Sequence, residues 1–229
     1  MKRFWDKVSV VAGEEGHLLR LDARPVRTPG RAALALPTPQ LAEAVAHEWR
    51  GVDEKVDPRA MPLTGLANAA IDRIAPAREA FAEGLARYGE SDLLYYRADK
   101  PEGLAVRQAA LWDPLLEWAR ARYRVRFETS ASVIHQPQPA ATVARLRAAV
   151  LALDAFRLAG LSHVVTVSGS LVGGLALLGG HAGREALWRA AQVDEDWQVE
   201  HWGEDDLATR ARETRRADFD AGARFLALL

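Results

Sequence analysis

The chain has 229 residues, with 30 Lys plus Arg against 31 Asp plus Glu, a formal charge of −1, and 49% hydrophobic and 27% charged residues. This balance excludes a disordered chain, which needs low hydrophobicity and high net charge, and argues against a general nucleic-acid binder, which carries a basic excess. With no cysteine, disulfides, zinc fingers, iron–sulfur clusters and thiol catalysis are excluded as well.

The stretch Met1-Lys2-Arg3-Phe4-Trp5-Asp6-Lys7 is basic, but an acid interrupts it and no apolar run follows. It reads as no signal peptide and points to a cytoplasmic protein. The preference for Arg over Lys fits a GC-rich bacterial genome. Val8-Ser9-Val10-Val11 and His17-Leu18-Leu19-Arg20-Leu21 are β-type runs, and Ala12 to Gly16 between them predict a hairpin with a longer loop. Pro25 to Gly30 reads as a turn-rich edge, where a missing ladder donor is tolerated, and Ala32 to Leu36 as a further strand.

After Pro37 the apolar period lengthens. Thr38 suits an N-cap, Pro39 the first helical position, Leu41, Val45 and Trp49 one apolar face, and Gly51 the end. Helices are expected over about Leu63–Ile74, from Pro76 to about Tyr88, and over Leu104–Tyr123. The last should bend near Asp113-Pro114, because proline inside a helix removes a hydrogen bond. Val125-Arg126-Phe127 is read as one more strand and Gln136-Pro137-Gln138-Pro139 as a turn. Four helices follow, at about Ala140–Phe156, Ser162–Leu178, Arg184–Glu200 and Asp205–Leu228.

Residues 158–183 contain no Asp, Glu, Lys or Arg, a stretch long enough to span a bilayer. However, His163, His181, four hydroxyl residues and several glycines interrupt it, and its strongly apolar part, Val164 to Leu178, is shorter than a span. The Gly169/Gly173 pair allows close helix packing in a core as readily as in lipid. A buried core element, without stable membrane insertion, is the expectation.

Signals for catalysis are sparse. No GxGxxG follows a strand, and neither GxxxxGK[ST] nor HExxH occurs. The six histidines include no pair at i, i+4, so neither a cofactor nor a metal site is expected. Ser168-Gly169-Ser170 lacks the flanking glycines of a hydrolase elbow and reads as small hydroxyls in a packed helix. Asp92, Tyr95, Tyr96 and Arg97 form a polar–aromatic knot, and Asp113 just before Pro114 reads as a local cap. Such residues cap turns and pair locally; the alternative is a small-molecule-processing enzyme with a pocket near Asp92, Tyr96, Arg97 and Asp113.

Between Asp194 and Asp206 lie seven acids, with His201 as the one potential cation among them. Helical spacing puts Ala186, Ala190, Val193 and Trp197 on one face, read as core. Asp194, Gln198 and Trp202 fall on an adjacent face. A solvated helix face with a partly buried Trp would explain the pattern. So would an interaction surface, since Trp beside polar groups is a common anchor of interfaces.

Several segments resemble one family, the ATP synthase assembly chaperones that act on the α subunit of the catalytic head. They are Leu21-Asp22-Ala23-Arg24-Pro25-Val26-Arg27-Thr28-Pro29, where the family usually has Gly at the third place, and Leu36-Pro37-Thr38 leading through Leu41-Ala42 to Glu48-Trp49. Met61-Pro62-Leu63-Thr64 with Ala70-Ile71-Asp72, then Ser91-Asp92-Leu93-Leu94-Tyr95-Tyr96-Arg97, follow. The last are Trp112-Asp113-Pro114-Leu115-Leu116-Glu117-Trp118 and Gln198 with Trp202-Gly203-Glu204. Each fragment is weak by itself; in order over most of the chain they are specific.

The residue patterns predict an α+β fold, a small N-terminal β-rich domain (1–60, with one helix) followed by a larger all-α helical domain (61–229), with the boundary somewhere in 37–100, and the fold that the resemblance implies agrees. The resemblance implies no catalytic residues. The implied function is to bind the unassembled α subunit and shield its β-facing interface until assembly, as a monomer when free. Partner-binding residues carried over by the resemblance are Asp194, Glu195, Asp196, Gln198, Trp202 and Glu204. The chain departs from the family at Trp197, usually Tyr or Phe, and at Glu204-Asp205-Asp206, which replace a common His-Asp pattern.

Overall fold

The computed structural model describes residues 2–132 and 134–229; Met1, the first residue of the basic N-terminal stretch, lies outside them. Strands β1 (Val8–Gly13) and β2 (Gly16–Leu21) pair antiparallel from Val8↔Leu21 to Gly13↔Gly16. The longer loop expected between them is therefore only a turn at Glu14-Glu15, because the ladder runs on through Ala12, Gly13 and Gly16. β3 (Arg24–Pro25) and β4 (Ala35–Leu36) both pair with β2, which makes β2 the centre of the sheet. The strand expected from Ala32 is shorter because the chain is still turning there: the Thr28 N–H donates to the Ala32 carbonyl. Asp72 holds that turn from a distance, accepting from the Thr28 hydroxyl at 2.6 Å and the Gly30 N–H at 2.8 Å.

Helix α1 (Pro39–Arg50) starts as expected, with the Thr38 hydroxyl accepting from the Leu41 N–H at 3.1 Å. Its buried face is Leu41, Ala42, Val45, Ala46 and Trp49. Glu48 on α1 caps α2 (Pro62–Ala69), accepting from the N–H groups of Leu63 and Thr64 at 2.8 Å each. A π turn (Ala70–Ile74) and a 3-10 turn (Ala75–Ala77) lead into α3 (Arg78–Ala86). Helix α4 (Glu102–Tyr123) runs through Pro114 and buries Gln108, Trp112, Leu115, Leu116 and Ala119.

Val125–Phe127 forms no strand. The apolar side chains are buried, and the backbone bonds here go to the end of α4 and to side chains in place of a ladder: the Val125 N–H donates to the Arg120 carbonyl. The Thr142 hydroxyl donates to the Arg126 carbonyl at 2.6 Å, and Gln138 brackets Glu128 through both its amide atoms.

The remaining helices are α5 (Ala140–Leu151), α6 (Ala155–Ser168), α7 (Leu171–Leu178), α8 (Arg184–Ala191), α9 (Val193–Trp202) and α10 (Asp206–Ala227). Three expected helices are interrupted. Asp154 accepts from the Arg157 N–H and opens α6, so α5 stops short of Phe156. Gly169, at φ 69°, breaks 162–178 in two, and Ser170 then caps α7 by accepting from the Gly173 N–H at 2.8 Å. The break is specific to glycine, because other side chains rarely adopt this left-handed conformation. Arg184–Glu200 breaks at Gln192, where the Trp112 indole N–H takes the Ala190 carbonyl at 2.7 Å. That break also changes the core face: Ala190 and Val193 are buried, but Ala186 is exposed and Leu187 and Trp188 are inside instead.

The uncharged stretch is a core element. Leu171 to Ala176 are all buried, and side chains of Leu187, Leu161 and Val165 approach Gly173 and Gly174 closer than an added Cβ would allow. Among the described residues no helix is long and apolar enough to cross a membrane. The chain groups into two compact units. One holds the residues up to Arg78 with Asp154–Gly160 and Arg224–Leu229; the other holds Glu79–Leu153 and Leu161–Ala223. The fold is thus α+β, a small antiparallel sheet followed by a larger helical region, as expected.

Candidate functional site

Asp194, Gln198 and Trp202 share one face of α9, as their spacing predicts, and form one wall of a groove of about 630 Å³. Trp197 adjoins them. The facing wall is Tyr96–Ala98 and Lys100, with Pro101, Leu104 and Gln108 at the start of α4. Gly203, at φ 87°, ends α9 in a conformation that disfavours any residue with a Cβ. Trp202 is left on the last turn, 78% exposed.

Gln108 ties the two walls together. It is only 2% exposed. Its Oε1 accepts from the Ala98 N–H at 2.7 Å, and its Nε2 donates to Asp194 Oδ1 at 2.6 Å. Beside it, Arg107 donates to both Glu200 oxygens at 2.7 and 2.9 Å, and its Cζ lies 5.1 Å from the Trp197 ring centroid. That guanidinium holds the Glu200 carboxyl below its ordinary range. His201 stacks on Trp197 as well, 4.2 Å between ring centroids. The His201 Nδ1–H donates to the Trp197 carbonyl.

The other expected contact residues go elsewhere. Glu195 accepts from Arg215 at 2.6 Å and Asp196 from Arg212 at 2.5 Å, both on α10. Glu204 is exposed, with no ion pair among the described residues. Sequence reasoning missed Gln108, Arg107 and Lys100, and placed Trp197 in the core where it is half-buried on the groove. A signal for Gln108 was present: it is a polar residue one turn before Trp112 on the apolar face of α4.

The Asp92 knot does not come together in the groove. Asp92 is fully buried, with Oδ1 accepting from the Leu94 N–H at 3.0 Å and Oδ2 from the Val172 N–H at 2.8 Å. Burial pushes its pKa up to about 6, against the pull of those hydrogen bonds. Asp113 accepts from Arg97 at 2.7 Å, and Arg97 lies over the Trp112 ring. Tyr96 and Arg97 reach the groove; Asp92 and Asp113 do not.

Comparison with known proteins places this architecture. The ATP12 chaperone protein family matches residues 2–120. The chain belongs to the ATP12 chaperone family. This is the ATP synthase assembly family that its sequence fragments resemble. Protein atp12, mitochondrial, of Schizosaccharomyces pombe is 25% identical over 214 residues, covering 88% of this chain and 74% of that protein. The crystal structure of Atp12 from Paracoccus denitrificans superimposes with a TM-score of 0.95 at 43% identity, covering 99% of this chain and 97% of that one. The Atu1473 protein of Agrobacterium tumefaciens gives 0.93 at 38% identity, covering 99% and 85%. The family match ends within α4, before α9, so in ATP12 terms the second wall of the groove rests on the whole-chain likeness to the Paracoccus structure.

Proposed function

We propose that this ATP12 family chaperone binds the unassembled α subunit of the ATP synthase catalytic head and covers the surface that α later gives to the β subunit. The observation that carries this reading is Trp202, 78% exposed on the rim of a largely apolar groove with Asp194 and Gln198 in its wall. Large aromatic side chains on such rims are recurrent interface anchors. Asp194, Gln198 and Trp202 make the contact, with Glu204 at its edge. Glu195 and Asp196 support it by tying α9 to α10.

A subunit built for a large obligate interface exposes aggregation-prone surface while it is alone. Covering that surface needs no nucleotide, because formation of the α–β interface displaces the holder. The protein acts in this way as a monomer in the bacterial cytoplasm. The test is co-purification with the isolated α subunit of the same organism, with β as the control. Selective capture of α, reversed by adding β, is the expected result. Capture of neither subunit, with both in solution, overturns the reading.

A further inference from the structure

We infer that the groove between α4 and α9 receives a basic side chain, arginine or lysine, carried on an extended, apolar-flanked segment of the client. Gln108 is the residue that positions its acceptor, Asp194. This inference rests on the client reading above.

The argument begins with charge. Glu195, Asp196 and Glu200 on α9 each hold an arginine, whereas Asp194 has no ion pair among the described residues. Its Oδ1 is taken by the neutral Gln108 amide, and Oδ2 has no hydrogen-bond partner among the described residues. A half-buried carboxylate left this way is stabilised by an incoming cation. Trp202, two turns further along the same face, offers an open ring to that cation. The fold already makes such a pair next door, where Arg107 covers Trp197. Beyond Trp202, Glu204, Asp205 and Asp206 are exposed and hold no ion pair among the described residues, which adds negative potential at this end.

The opposite wall fixes the direction of the segment. Arg97 is neutralised by Asp113, which leaves Lys100 as the groove's uncompensated cation among the described residues. Lys100 faces backbone carbonyls or an acid of the segment, and the basic side chain lies along α9, its charge at Asp194 and on the side toward Trp202. Pro101 and Leu104 provide apolar lining, and Ile134, 75% exposed, follows close after the lining residue Ser132. The Ala98 N–H can only donate, so it fixes the Gln108 amide with its oxygen toward residue 98 and its NH2 toward Asp194. Asp194 is thereby held at a set distance from the facing wall.

The experiment uses the full chain and two blocked peptides, acetyl-Leu-Val-Arg-Val-Leu-amide and the same peptide with Glu for Arg, titrated by tryptophan fluorescence and calorimetry. The arginine peptide should bind in preference to the glutamate peptide. Asp194→Asn should weaken it by about tenfold or more, the worth of a hydrogen bond to a charged group. Trp202→Ala should weaken it by about threefold to thirtyfold, the span of cation–π pairs. Gln108→Glu separates positioning from folding. It keeps the Ala98 contact but sets two carboxylates face to face, so peptide binding should become pH-dependent, which loss of structure alone would not produce.

Equal affinity for the two peptides, no binding of the arginine peptide at millimolar concentration, or an Asp194→Asn variant that binds it unchanged overturns the inference. Capture of the α subunit by the same preparations is read separately. Arginine-peptide binding without α capture would leave the groove chemistry standing and remove the client. Capture of α with no peptide preference would do the reverse.

Discussion

Asp92 shows how one residue can be legible in its local role and not in its distant one. An Asp before Leu-Leu-Tyr reads as a turn cap, and it does accept from the Leu94 N–H. Its second oxygen accepts from Val172, 80 residues away, at the buried start of α7. No local pattern announces that bond. The pH consequence has a definite sign. Burial raises the folded-state pKa from the ordinary 3.8 to about 6, so between those values the folded state holds more proton than the unfolded one. Stability contributed by Asp92 is therefore fully present below about pH 4 and is lost as pH rises through about 6. Urea unfolding across pH 4 to 7 should show the parent losing stability relative to Asp92→Asn, which cannot titrate. A difference that stays constant across that range would contradict the assignment.

At the scale of an element, α9 carries its acids in two different roles. The periodicity placed Asp194, Gln198 and Trp202 together, and they are together. It could not show that Glu195 and Asp196 meet Arg215 and Arg212, because those partners come from α10, after a change of direction at Gly203. Partly exposed pairs of this kind contribute about 0.2–1 kcal/mol each. Glu195→Lys with Asp196→Lys should therefore leave the melting temperature nearly unchanged. Like charges against Arg212 and Arg215 should loosen the start of α10, read as faster amide exchange over residues 206–216. Asp194→Lys should spare that exchange and weaken client capture. If all three substitutions behave alike in both measurements, the division of roles is wrong.

For the whole molecule, the chain's last residues matter more than their position suggests. Arg224–Leu229 group with the unit that contains the sheet. There Phe225, fully buried, stacks on Phe156 at 6.3 Å, and the Thr38 hydroxyl donates to the Leu228 carbonyl across 190 positions of sequence. Phe225→Ala should cost about 3–5 kcal/mol, as large aromatic deletions in a core do. Thr38→Ala should cost about 1–2 kcal/mol, since the cap of α1 is lost as well. Urea midpoints measure both. A Phe225→Ala variant as stable as the parent would mean the terminal segment is not part of that core.

The sequence by itself determined what depends on near neighbours. Thr38-Pro39 started α1, the spacing of Leu41, Val45 and Trp49 gave its buried face, and the β-type run His17 to Leu21 gave a strand, though not its central place in the sheet. It also determined the family, because the resembling fragments are short and local. Tertiary structure decided why those fragments belong together. Asp72 holds the turn at Thr28 and Gly30, and Glu48 caps the helix at Leu63 and Thr64. It decided where long apolar stretches break, since Gly169 and Gln192 interrupt helices at places set by packing. And it decided which acids of α9 are paired with arginines within the chain. A carboxylate's role depends on what stands opposite it, and what stands opposite is brought there by residues far along the chain.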